Sequence, residues 1–236
     1  MIVLAVDTAT ESCSVAIVNQ SHILSEINLN PRQTHSKHLM PAIDHSLAMA
    51  NLNASDLQGL AVTRGPGSFT GLRIGISTVK GLAVALNLPL VSVSTLDALA
   101  MQAAAPGFLV CPVLDARKKE VYSATYRLCG GQVKQTGPES VMSPQTLSQS
   151  IDEPSIWVGS GATLYRDLLL APEKPKRFLA PQSQHLIRAT TVAQLAMPAL
   201  RSGQTMDVAT FEPVYIRQSD AQVNRSANPR KNATFR

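Results

Sequence analysis

A chain of 236 residues with 44% hydrophobic and 16% charged side chains fits a soluble globular protein able to bury one large or two modest cores. No run approaches the roughly 18 uninterrupted apolar residues of a membrane helix, and the opening MIVLAVDTATES has no basic leader, so neither a membrane span nor a signal peptide is expected. The formal charge is +5, much of it from Arg217, Arg225, Arg230, Lys231 and Arg236 against Asp220 at the end of the chain, which suits nucleic-acid contact or a solubilising tail.

In chain order, residues 2–7 are a short apolar run ending in an acid, and 12–19 and 23–28 are β-branched segments joined by a turn at Gln20 and Ser21. Residues 35–51 switch to helical periodicity, with Leu39, Ile43, Leu47 and Ala50 on one face. A turn at 54–56, a strand at 60–63, the longest helix at 68–87, a strand at 89–94 and a helix at 96–105 follow. The second half begins alike, with an apolar strand at 108–115 ending in an acid and strands at 121–128 and 133–136 around a turn at 129–132. A helix at 144–151, a strand at 156–159 and helices at 163–170 and 190–202 come next, the last stopped by Gly203. Residues 212–217 read as a final ordered segment, and the chain beyond carries only Val223 and Phe235 as larger apolar residues.

VDTATESCSVAIV and LDARKKEVYSATY thus occupy matching places in a weak internal repeat. Two such units imply a duplicated α/β fold, a mixed sheet in each half and a cleft between. The expected division is a lobe at 1–105, a degenerate lobe at 106–216 whose last helix could return to the first, and a flexible basic tail at 217–236. Cys13, Cys111 and Cys129 are odd in number and scattered, as suits reduced thiols in a cytosolic protein.

TRGPGSFTGLRIG, residues 63–75, packs four glycines and a proline into 13 positions ahead of the longest helix. It is either a phosphate cradle or a tight turn feeding a helix that lies very close to another helix. Its GxGxxxG spacing is not the dinucleotide fingerprint, and no GK[ST] occurs. The helix carries Leu72, Ile76, Val79, Ala83 and Leu86 on one face and Ile74, Gly75, Thr78, Leu82 and Ala85 on a neighbouring one, with only Arg73 and Lys80 charged. A helix apolar most of the way round is normally covered most of the way round. Gly71 and Gly75, four apart, strip bulk from one side, either for helix 35–51 of the same chain or for a partner protein.

Asp7-Thr8-x-Thr10-x-Ser12 stands where actin-like and sugar-kinase-like ATPases hold a hydrated metal and phosphate, or it is a hairpin turn bonded to its own backbone. An ATP site there needs a second small turn from the other half. Residues 115–120 supply Arg117, Lys118 and Lys119 instead, without glycine or hydroxyl, which argues against autonomous hydrolysis. Gly159-Ser160-Gly161-Ala162 is another small turn after a strand, readable as a nucleotide turn or a plain one. His35 and His38 lack an obvious third ligand, and neither HExxH nor GxSxG occurs, so no metal or catalytic residue is expected.

IVLAVDTATESCSVAIV, TRGPGSFTGLRIG, VSTLDALA, LDARKKEVY and EPVYIR occur in this order between residues 2 and 217, and together they closely resemble the bacterial TsaB (YeaZ) family. The resemblance implies an actin-like, kinase-type (ASKHA) duplicated fold. It also implies a non-catalytic scaffold or activator subunit in making threonylcarbamoyladenosine in transfer RNA. The catalyst of that family is a TsaD-like partner, with a TsaE-like ATPase in a larger assembly and threonylcarbamoyl-adenylate coming from TsaC. Transfer RNA is reached through the complex, and the chain self-associates as a homodimer when the partner is absent. No membrane contact, a cytoplasmic location and no cofactor of its own are implied, with ATP or ADP able to sit at the interface with partners. Docking through the two N-lobe helices carries over to His35, Leu39, Ile43 and Leu47 and to Gly71, Ile74, Gly75, Thr78 and Leu82. Asp7, Thr8 and Thr10 then form a vestigial nucleotide site; the alternative is an autonomous ATPase or phosphotransferase using those three. The peptidase activity attached to relatives is not expected, for want of a nucleophile.

Overall fold

Strands buried on both faces read as continuous apolar runs, and Val3–Asp7 (β1) and Cys13–Val18 (β2) are buried at every position. In the computed structural model, which describes residues 1–20, 22–30, 35–171 and 176–217, they join Ile23–Leu29 (β3), Gly59–Gly65 (β4) and Leu90–Ser94 (β5) in one sheet, ordered β3-β2-β1-β4-β5. β2 runs antiparallel to β1 and β3, while β4 is parallel to β1 and β5. Leu39–Met49 (α1), entered through a 3-10 turn at His35–Lys37, and Phe69–Leu86 (α2) link the parallel strands. Both cover one face of the sheet, where Leu39, Ile43, Leu47, Ile76 and Val79 meet Leu4, Val6, Ile17 and Leu60. Ser68 caps the start of α2, accepting from Gly71 N at 3.3 Å, and Asn87 ends it in the left-handed conformation at φ 53°. Thr95–Ala103 (α3) follows β5.

The second sheet repeats the first. Leu109–Arg117 (β6), Glu120–Cys129 (β7), Gln132–Met142 (β8), Ser155–Val158 (β9) and Arg177–Leu179 (β10) are ordered β10-β9-β6-β7-β8, with the same parallel and antiparallel pairings. Pro144–Ser150 (α4), Ser160–Leu164 (α5) and Arg166–Leu169 (α6) cover its outer face. The duplicated two-lobe α/β fold expected from the sequence is therefore present. Three details differ. β8 runs well past residue 136, because pairing with β7 continues through register shifts despite Gly137 and Pro138. The helix expected at 163–170 breaks at Tyr165, and the three-residue strand β10 was not foreseen.

The last helices of the lobes are exchanged. α3 packs against the second sheet and Ala189–Ser202 (α7) against the first, so one apolar cluster, including Val3, Leu96, Leu99, Leu114, Val192 and Ala196, runs through both. The first turn of α7 is tied to the first sheet: Ser14 Oγ accepts from Ala189 N at 2.8 Å, and Glu26 accepts from Thr190 N and Oγ1 at 3.2 and 2.8 Å. Burial opposes the Glu26 charge, but bonds from Arg188 and Thr190 outweigh it and hold the carboxyl below its usual range. Gly203, at φ 72°, ends α7.

Residues 204–217 then return along α2 without regular structure. Met206 N donates to Leu90 O at 2.8 Å, Lys80 Nζ to Phe211 O at 2.8 Å and Val214 N to Arg64 O at 2.8 Å. Phe211 is buried in the outer cluster of the first lobe. The expected tail beyond Arg217, like Ser21 of the β2–β3 turn, lies outside the described residues. By length and composition α2 is the one described helix able to cross a membrane, with 18 residues of mean hydropathy 1.3; Arg73 and Lys80 interrupt its apolar run, and one side covers the sheet.

Candidate docking surface and the glycine-lined turn

β1 ends in Asp7, which is fully buried. Its Oδ1 accepts from Thr63 Oγ1 at 2.7 Å and Ala9 N at 3.2 Å, while Oδ2 has no partner. Burial pushes the carboxyl up to about 7, and those two bonds pull it back only in part. Thr8 Oγ1 donates to the Gly71 carbonyl at 2.8 Å. Thr10 Oγ1 lies 2.9 Å from Ser12 Oγ, and the Thr10 carbonyl accepts from His35 Nε2 at 2.8 Å.

Three glycines of the 63–75 stretch press on this turn. A Cβ on Gly67 would lie 2.2 Å from Ala9 O, one on Gly71 2.1 Å from Thr8 O, and one on Gly75 2.2 Å from Thr8 Oγ1. Gly71 and Gly75, expected on the docking face, therefore point inward. Gly71 admits the backbone of the chain's own β1–β2 turn, with His35 Cδ2 also 3.3 Å from such a Cβ, and Gly75 admits the Thr8 side chain. The Thr8 hydroxyl is engaged by Gly71 and the Asp7 carboxyl is fully buried, so both groups are turned to the chain's own fold. No cluster of three His, Cys, Asp or Glu able to hold a metal occurs among the described residues.

The second lobe closes its turn in the same manner. A Cβ on Gly161 would lie 2.8 Å from Val113 Cγ1 and 3.0 Å from Leu114 C, and Ser160 Oγ accepts from Asp115 N at 3.2 Å. The β6–β7 hairpin turns through Arg117, Lys118 and Lys119, all exposed and all left-handed at φ 59°, 52° and 62°.

On the outer side, a shallow groove of about 380 Å³ runs between α1 and α2, lined by Ser36, Leu39, Met40, Arg73, Ile74, Ser77 and Thr78. Of the residues expected to dock, Leu39, Ile74 and Thr78 line it and Leu82 is half-buried beside the core. Ile43 and Leu47 are instead core, and Leu39 is buried at the groove floor, because the i, i+4 row that reads as an apolar face is the row that meets the sheet. His35 is half-buried and anchors Thr10. The sequence reading missed Met40 at 42% exposure, Met49 at 65% and Val84 at 73%. It also missed Ser77 and Gly81, which with Ala85 recur every four residues on the exposed side of α2. A Cβ on Gly81 would meet nothing within 4 Å. At the edge, the Arg73 guanidinium stacks 3.8 Å above the Phe69 ring and its Nε donates to Tyr215 Oη at 3.2 Å.

The family model described as TsaD, tRNA N6-adenosine threonylcarbamoyltransferase, matches residues 22–225. The tRNA threonylcarbamoyladenosine biosynthesis protein TsaB of Escherichia coli (strain K12) is 34% identical over 228 residues, covering 94% of this chain and 96% of that protein. TsaB of Bacillus subtilis (strain 168) is 29% identical over 225 residues, with 94% and 96% covered. YeaZ from Pseudomonas aeruginosa superposes with a TM-score of 0.78 at 32% identity, covering 91% of this chain and 99% of that one. The matches span both lobes, and the chain belongs to the TsaB (YeaZ) family, within the wider group that the TsaD model describes.

Proposed function

We propose that this chain is a non-catalytic subunit of tRNA threonylcarbamoyladenosine biosynthesis that acts by docking a TsaD-like catalytic subunit on the exposed α1–α2 face. The pathway comes with the family. The observation that carries the docking is Gly81. Glycine in an exposed helix interior costs about 1 kcal/mol relative to alanine, and no contact within the chain calls for it. Close approach of another helix to the row Ser77, Gly81, Ala85 accounts for that cost, and exposed Met40, Met49 and Val84 supply the apolar surface such a contact buries. The occupant is argued from relatedness: the TsaD model matches this chain over residues 22–225, so a TsaD-like subunit brings an equivalent helix pair to meet this one. A second copy of this chain fits the same face when that partner is absent.

The chain's own hydroxyls and carboxyl at the β1–β2 turn are spent on its own fold, which supports transfer chemistry residing in the partner. ATP or ADP, a TsaE-like ATPase and transfer RNA enter this reading through the assembly, in the cytoplasm. The test is co-elution of Ser77→Arg and Val84→Arg variants with a TsaD-like subunit, together with reconstituted modification of transfer RNA. Both positions are exposed, so melting of the isolated chain stays as in the parent while complex and modification are lost. A retained complex with full modification would sink the assignment.

A further inference from the structure

We propose that Arg73 selects the docking partner: gripped by Phe69 and Tyr215, its guanidinium pairs with a carboxylate on the helix pair of the subunit that covers the α1–α2 face. The pairing rests on docking at that face and fixes what the covering surface must carry at one point. Charge is scarce there. α2 contains no acid, its second cation, Lys80, is spent on the Phe211 and Ala209 carbonyls, and Arg73 alone stands charged on its exposed side. Arg73 also lines the groove between α1 and α2. Among the described residues no carboxylate pairs with it. A subunit seated on the groove takes this guanidinium out of water, and a cation buried without a counter-charge strongly opposes association. The covering surface therefore has to bring a negative group, and a carboxylate matches the planar fork of guanidinium donors.

The guanidinium is already set for such a pair. It lies 3.8 Å from the centre of the Phe69 ring, and its Nε donates to Tyr215 Oη at 3.2 Å. The two rings pack on each other with centroids 5.0 Å apart. Arg73 is thus gripped from two sides, while its Nη groups make no hydrogen bond to the described residues. A free arginine side chain loses several rotors when it binds; here much of that ordering is complete before the partner arrives. Tyr215 reaches Arg73 because residues 204–217 return along α2, fixed by Val214 N to Arg64 O and by Lys80 Nζ to Phe211 O, both at 2.8 Å. The EPVYIR stretch, which docking on α1 and α2 alone leaves without a task, becomes the support of the docking charge. Tyr215 is a positioning residue that acts through Arg73.

The experiment measures the affinity of the full chain for a TsaD-like subunit, with melting of each isolated variant as the check on folding. Arg73→Gln weakens binding roughly thirtyfold or more, and Arg73→Glu weakens it further. Arg73→Lys keeps the charge but loses the fork and the stacking, and recovers only part of the affinity. Tyr215→Phe keeps the ring on Phe69 and removes the bond to Nε; it weakens binding by about three- to tenfold in the parent and by nothing in the Arg73→Gln background. A merely structural Tyr215 would cost the same in both. Exposed acids on the partner's helix pair are also replaced by lysine one at a time, and one such replacement restores binding to Arg73→Glu while weakening the parent. Three results overturn the pairing with docking intact, as shown by loss of the complex in Ser77→Arg. They are parent-like affinity in Arg73→Glu, equal costs of Tyr215→Phe in the two backgrounds, and no restoration by any lysine. Parent-like affinity in both Ser77→Arg and Val84→Arg instead removes the docking face, and the pairing falls with it.

Discussion

Gly71 and Thr8 are interlocked: Thr8 Oγ1 donates to the Gly71 carbonyl at 2.8 Å, and a Cβ on Gly71 would lie 2.1 Å from the Thr8 carbonyl oxygen. Helix α2 is thereby held on the turn that leaves β1. Gly71 and Thr8 thus close the turn on the start of the helix.

Gly71→Ala should destabilise the chain by about 3 kcal/mol or more, because its Cβ meets backbone that cannot turn away. Gly75→Ala meets Thr8 Oγ1, a side-chain atom, at 2.2 Å. Thr8→Ala in that second background should therefore recover part of the loss, whereas it should recover little in Gly71→Ala. Denaturant unfolding of the four variants checks the difference, and equal rescue in both would show the clash to be misplaced.

Gly81→Ala should do the reverse. With open space around the new methyl, the isolated chain should gain about 1 kcal/mol from helix propensity. Gly81→Leu should leave the isolated chain folded and abolish co-elution with a TsaD-like subunit. Full complex formation by Gly81→Leu would remove the main reason for placing docking on this face.

The contrast between these glycines shows what the sequence can and cannot disclose. Strand and helix positions were legible because β1, β2 and α2 carry strong patterns, and Ser68 and Asn87 mark the ends of α2. The repeat was legible in two acid-ended strands, and the identical strand orders bear it out. Orientation was not. Periodicity tells which residues of α2 share a face, but a helix apolar on two sides does not say which side meets its own sheet. Gly71 and Gly81 are alike in sequence and differ only in what stands opposite. Leu39, Ile43 and Leu47 looked like a docking row for the same reason. β10, three residues long, has too little pattern to register, and the left-handed Arg117–Lys119 turn has no composition signal at all.

Lys80 is one of two charges on α2, and its role is to hold the returning segment. Its Nζ donates to Phe211 O at 2.8 Å and Ala209 O at 3.4 Å, beside a Phe211 side chain buried to 4% exposure. Phe211→Ala should cost about 3 kcal/mol. Lys80→Met should cost about 1 kcal/mol and speed proteolytic cleavage within residues 204–217. Unaltered cleavage in both variants would show that the segment is held by other contacts.

Asp7 sets a pH dependence with an unusual sign. Its folded value of about 7 stands above the ordinary 3.8 because burial disfavours the charged form. Below 3.8 both folded and unfolded chains hold the proton, and no penalty arises. As pH rises from there the unfolded chain releases its proton first, so the folded chain loses stability progressively until the carboxyl ionises near 7, with a full loss of about 4 kcal/mol. Asp7→Asn keeps an oxygen for Thr63 and Ala9 and removes the titration. Its stability relative to the parent should therefore rise by about 2–3 kcal/mol between about pH 5 and about pH 8, whatever fixed cost the amide brings. Denaturant unfolding of both proteins across that range measures the difference directly. A flat difference would mean that Asp7 is already charged in the fold at pH 5, and a falling one that a cation reaches it.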